Sequence, residues 1–175
     1  MMKRSTMAIA FLLLAGNTAR AQHAMPPGRS HEEHMKQMAR DEALKQHGAA
    51  AMGFDQDATE HHFRLAADGG AIVVTTRDAA DAATTTQVRT HLREIADAFA
   101  QGDFAKPFAT HGEVPPGVKV MTERRSSIRY RYEERVAGGA VLLTTDDPQA
   151  LAAIHEFLRY QITEHKTGDP LVPQP

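Results

Sequence analysis

From Phe54 onward the hydrophobic positions follow a two-residue period and then a 3.6-residue period, and this order occurs twice. In the first pass His62-Phe63-Arg64-Leu65 leads through Asp68-Gly69-Gly70 to Ala71-Ile72-Val73-Val74-Thr75-Thr76. In the second, Ile128-Arg129-Tyr130-Arg131-Tyr132 leads through Gly138-Gly139 to Ala140-Val141-Leu142-Leu143-Thr144-Thr145. Each glycine turn joins two runs rich in β-branched residues, which is the pattern of a β-hairpin. Residues 84–100 then place Val88, Leu92, Ile95 and Phe99 on one helical stripe, and residues 148–165 do the same with Leu151, Ile154, Leu158 and Ile162. Asp147 ahead of Pro148 reads as an N-cap with proline in the first turn, and Gly168 and Pro170 mark the end of that helix.

The order ββα–loop–ββα predicts an α+β fold: a four-stranded, mostly antiparallel sheet built from two ββα repeats, with both helices on one face. Each repeat alone leaves an apolar face bare, so the two pack about a pseudo-twofold, within one chain or across a homodimer. The stretch 102–120 is rich in Gly and Pro and too long for a plain connector. Arg129 and Arg131 alternate with Ile128, Tyr130 and Tyr132, so the arginines read as the solvated side of a half-buried strand.

Upstream the pattern changes. Residues 22–52 are rich in His, Met, Ala, Lys and Glu, with Leu44 the one large aliphatic side chain. They predict a flexible arm with a marginal helix over 30–46, capped by Ser30 ahead of Glu32 and Glu33. Residues 1–21 combine Lys3 and Arg4, an apolar run at 8–15, and Ala19-Arg20-Ala21, the make-up of a secretory signal peptide cut before Gln22. That run is shorter than the roughly 20 residues of a membrane span. With no cysteine, the chain can form neither a disulfide nor a lipidated cysteine anchor. The expected location is the periplasm.

Composition narrows the partners. The 154 residues after position 21 suit one domain, placed at 53–170 with a tail at 171–175. They carry 17 basic against 22 acidic side chains, a balance of −5 that argues against nucleic acid as partner. All ten histidines lie among them. The arm brings His31, His34, Met35 and Met38 to three- and four-residue steps, one face of a helix if the stretch is helical. Imidazole with thioether suits copper or silver ions, not Ca²⁺ or Mg²⁺. His23, Met25, His47 and Met52 extend that chemistry to either side.

In the domain, a composite metal site could form from His62, His111 and His155 if the long loop folds over the sheet. Glu113 would then orient His111 or act as a general base. His165 reads as a cation favoured by a helix C-terminus, and His91 as part of a solvated helix face. The chain has no Gly-x-Ser-x-Gly elbow, phosphate loop, dinucleotide fingerprint or Cys-x-x-Cys-His haem attachment.

Three runs resemble a family of small exported bacterial proteins without an established activity: residues 52–65 with His61-His62-Phe63-Arg64-Leu65, residues 107–117 with Ala109-Thr110-His111-Gly112-Glu113-Val114-Pro115-Pro116-Gly117, and residues 153–162 with Ile154-His155-Glu156-Phe157-Leu158-Arg159-Tyr160-Gln161-Ile162. The resemblance implies export and a compact α+β domain over most of the chain after the arm. Members sometimes carry the label aspartate carbamoyltransferase. A carbamoyltransferase is a longer cytosolic chain with a Ser-Thr-Arg-Thr phosphate motif, which is missing here.

The leading expectation is a periplasmic protein that binds copper or silver in buffering or tolerance, with the metal ion as partner. The alternative is a small periplasmic hydrolase or lyase using the loop of His111 and Glu113, which requires a pocket beneath it. A third reading, an interaction module, would use the tyrosine-bearing face of the sheet.

Overall fold

The strands and helices follow from the two periods. A computed structural model describes residues 31–174. The expected signal peptide, His23, Met25, the Pro26-Pro27-Gly28 run, the Ser30 cap and the side chain of His47 lie outside the described residues. The elements in order are α1 (His31–Met52), β1 (Thr59–Ala66), β2 (Gly69–Thr76), α2 (Ala82–Ala100), α3 (Ala105–His111), α4 (Val118–Glu123), β3 (Ile128–Arg135), β4 (Gly138–Thr145) and α5 (Pro148–His165). One sheet runs β1-β2-β4-β3, antiparallel throughout.

The pseudo-twofold lies within the chain and passes between the inner strands, where Ile72 pairs with Val141. These are the same position in the two hairpins, counted from the glycine that opens each second strand. Two backbone bonds repeat the symmetry: Thr76 N–H donates to Ala137 O (2.7 Å), and Thr145 N–H to Asp68 O (2.9 Å). Each hairpin therefore ends on the turn of the other.

The helices also cross over. α2 packs on β3 and β4, and α5 on β1 and β2. Asp81 and Asp147 cap them, the first accepting the Thr84 N–H and the second those of Gln149 and Ala150. Eight residues past each cap stands a side chain that ties the helix to the opposite hairpin turn. Arg89 donates to Arg135 O (2.8 Å), Val136 O and Gly138 O (both 3.2 Å). His155 Nε2–H donates to Ala66 O and Gly69 O, both at 3.0 Å.

Between the sheet and the helices lies the core, from Phe63, Leu65, Val74, Val141 and Leu143 on the strands to Val88, Leu92, Phe99, Ile154, Phe157 and Leu158 on the helices. Tyr130 and Tyr132 point into this layer. Tyr130 meets Phe99 edge-on (5.9 Å), and the Arg93 guanidinium lies 4.6 Å over the Tyr132 ring. The tyrosine face is thus covered by α2, and the interaction-module reading loses its surface.

Three local expectations change. The stretch 102–120 holds two short helices, α3 and α4. The left-handed residue that ends α5 is Lys166 (φ 52°), where Gly168 was expected to close it. The third change is α1, which runs to Met52 and is docked. Arg40 pairs with Glu164 (3.1 Å) and Glu113 (3.4 Å), and Lys166 pairs with Asp41. Met52 packs against the core, so the helix gains from tertiary contact what its composition lacks. Among the described residues no helix is long and apolar enough to cross a membrane.

Candidate functional site

Four imidazoles wall one small cavity between β1, α2, α3 and α5: His61, His91, His111 and His165. Strand parity supplies the first. Phe63 and Leu65 are buried under the helices, so His61, in step with them, faces the same way. Helical period supplies two more. His91 falls between Val88 and Leu92 on the buried stripe of α2 and is 9% exposed. His165 extends the stripe of Leu158, Gln161 and Ile162 on α5. α3 contributes His111 at its last turn.

The rings form a connected set. His61 and His165 lie parallel within 9°, with centroids 6.0 Å apart. His111 meets His165 edge-on at 5.2 Å. Phe54 bridges His61 (6.2 Å) and His91 (5.5 Å), and Phe63 flanks His165 at 5.5 Å. His111 Nε2–H donates to Gln161 Oε1 (3.0 Å). Among the described residues His61 Nε2, His91 Nδ1, His111 Nδ1 and Gln161 Nε2 are buried without a hydrogen-bond partner.

Burial keeps these rings uncharged. It pushes His61 down to about 4, aided by neighbouring His62. It pushes His91 to about 4, with Lys106 adding to the effect. His165 falls to about 3 through burial and the nearby His61 and His111. Burial also lowers His111, against the hydrogen bond it donates to Gln161, which favours its charged form. At neutral pH each ring therefore offers a nitrogen lone pair.

The inner cavity is about 70 Å³, far below the roughly 300–1,000 Å³ of drug-sized ligand sites. It has room for an ion or a few waters, and no carboxylate lines it. An open polar cleft of about 540 Å³ lies outside, and His61 and His165 line both spaces.

The expected composite site does not assemble. His62 points to the other side of β1, where its Nδ1–H donates to Asp169 Oδ1 (3.0 Å) and helps fasten the chain end. His155 is the counterpart of Arg89 and holds a hairpin turn. Of the three, only His111 reaches the pocket. Glu113 accepts from Tyr160 OH (2.8 Å) and pairs with Arg40, so His111 is oriented by Gln161 in its place. His91 is buried, not solvated, and His165 is neutral in the pocket, not a helix-end cation. On α1, His31, Met35 and Met38 are exposed and His34 is half-buried. Among the described residues no three His, Cys, Asp or Glu side chains stand where they could hold one metal ion.

Comparison with protein-family models, curated proteins and solved structures gives no match.

Proposed function

We propose that this chain is an exported metal-binding protein of the periplasm, acting on copper or silver ions as a buffer or tolerance accessory. One observation carries the reading. A single cavity holds four neutral imidazoles, three of them with a buried, unpartnered ring nitrogen. Each such group costs about 1–3 kcal/mol unless something satisfies it. A hydrogen-bonding network would have been the plain remedy, and only His111 has that. A metal ion would accept such a lone pair directly, though among the described residues no three of these side chains stand where they could share one ion.

The donor set selects the metal. Imidazole alone suits copper, zinc and other borderline ions, and the absence of lining carboxylates disfavours Ca²⁺ and Mg²⁺. The thioethers of Met35 and Met38, both about half exposed beside His31 on α1, shift the preference towards copper and silver. Those surface donors would exchange ions readily, while the pocket would retain one. The make-up of residues 1–21 and the likeness to exported bacterial proteins support a periplasmic site of action.

The test is an anaerobic titration of the chain from Gln22 with Cu(I) against a competing chromophoric chelator, repeated with Ag(I) and Cu(II). One tightly held equivalent is expected, with further weak binding that disappears when His31, His34, Met35 and Met38 are replaced by alanine. Binding no tighter than that of free histidine and methionine overturns the reading.

A further inference from the structure

We infer that His61 and His165 form a two-coordinate clamp for a monovalent soft ion, Cu(I) or Ag(I), at the boundary between the outer cleft and the inner cavity. This rests on reading the pocket as a metal site, and it specifies the ligands, the charge and the path of the ion.

The spacing is the first support. With metal–imidazole bonds of about 2 Å and a ring nitrogen about 1 Å from its centroid, a linear N–metal–N bridge holds two centroids about 6 Å apart. The observed separation is 6.0 Å with the rings stacked 9° from parallel, so the spacing fits and the nitrogens have to be turned towards each other. Turning a ring about its broad χ2 torsion aims a nitrogen without moving the backbone. His61 Nε2 is already buried and uncommitted.

The number of donors is the second. A zinc or copper(II) site takes four or more ligands, yet among the described residues no three carboxylate, thiolate or imidazole groups converge on one point. A closed-shell monovalent ion is content with two opposed donors. His111 meets His165 edge-on at 5.2 Å with its Nε2 engaged by Gln161, which leaves only its Nδ1 as a donor.

Charge is the third. Phe54 and Phe63 flank the pair, and the inner cavity is lined by no carboxylate and by one cation, Lys106. The Born cost of burying an ion grows as the square of its charge, so a divalent ion would face about four times the penalty of a monovalent one. Access is the fourth. The pair faces an open polar cleft lined by Asp41, Glu60, Glu164, Arg77 and Lys166, which gives an ion a hydrated route to it.

X-ray absorption at the copper edge of the Cu(I)-loaded chain from Gln22 tests this directly. The expected spectrum has two nitrogen donors at about 2 Å and no sulfur. His61→Phe and His165→Phe should each weaken Cu(I) binding by more than the roughly 10- to 100-fold that loss of an orienting partner costs, while His155→Gln should leave it unchanged. Circular dichroism confirms that each variant is folded. A three- or four-coordinate spectrum, sulfur scattering, or undiminished binding in folded His61→Phe and His165→Phe overturns the clamp while leaving a metal-binding protein. Absence of binding in the parent chain removes both.

Discussion

Gly117 sits at φ 82°, and a Cβ there would lie 2.1 Å from the Ala153 carbonyl oxygen on α5. That approach lets α4 press against the helix that carries Gln161 and His165. Gly112 has a similar φ of 70° but nothing within 4 Å of its missing Cβ. The two separate backbone strain from steric conflict. Gly112→Ala should cost about 1 kcal/mol, the left-handed penalty alone. Gly117→Ala should cost at least about 2 kcal/mol more, because its obstacle is backbone and cannot rotate away. Urea unfolding of both variants checks the difference. Parity decides another residue-scale matter: in His61-His62-Phe63 the buried Phe63 assigns His61 to the core side, and Leu65 agrees. That was readable from alternation, as His91 was from the spacing of Val88, Leu92 and Ile95. The convergence of His111 with them was not, because it depends on where 102–120 folds.

At the scale of elements, the two hairpins and the helices α2 and α5 were plain in the pattern, since each combines a strict period with glycine turns or aspartate caps. α1 was not. Its sequence has little apolar stripe of its own, and besides Met52 it is seated by ion pairs, through Arg40 to Glu113 and Glu164 and through Asp41 to Lys166. Such partners are 73 to 125 positions away in sequence and leave no local signature. Exposed ion pairs contribute little, about 0–1 kcal/mol each, so the docking of α1 should be labile. Arg40→Glu sets like charges against Glu113 and Glu164. Amide exchange in residues 31–52 should then speed up markedly while β1–β4 keep their protection. Raising the salt concentration should loosen α1 in the parent chain and narrow its difference from the variant. Equal protection of α1 in both proteins would mean that the ion pairs do not hold it.

Across the whole molecule, the two repeats share one frame but differ in what they carry to the interior. Counting from the N-caps, Ile95 and Phe99 of α2 correspond to Gln161 and His165 of α5. The third position of the outer strands compares likewise, with His61 on β1 matching Tyr130 on β3. At these positions one repeat carries Ile, Phe and Tyr where the other carries Gln and two His, and with His91 of α2 these buried imidazoles tie stability to pH. In the unfolded chain each histidine titrates near 6.5, whereas His61, His91 and His165 are held at about 4, 4 and 3 in the fold. The folded pKa values are lower, so unfolding takes up protons between these limits. Stability is therefore full above about pH 7 and falls as the pH drops from 6.5 towards 4, by up to about 1.4 kcal/mol per pH unit for each ring. Carboxylates contribute mainly below about pH 4.5, which leaves pH 5–6.5 as the window of the histidines. His91→Phe keeps an aromatic ring against Phe54, removes the unpartnered Nδ1 and spares the His61–His165 pair. Urea unfolding at a series of pH values should show this variant at least as stable as the parent at pH 7 and less sensitive to acid by the share of one ring. An identical pH slope in both proteins would show that His91 is not held neutral by its burial.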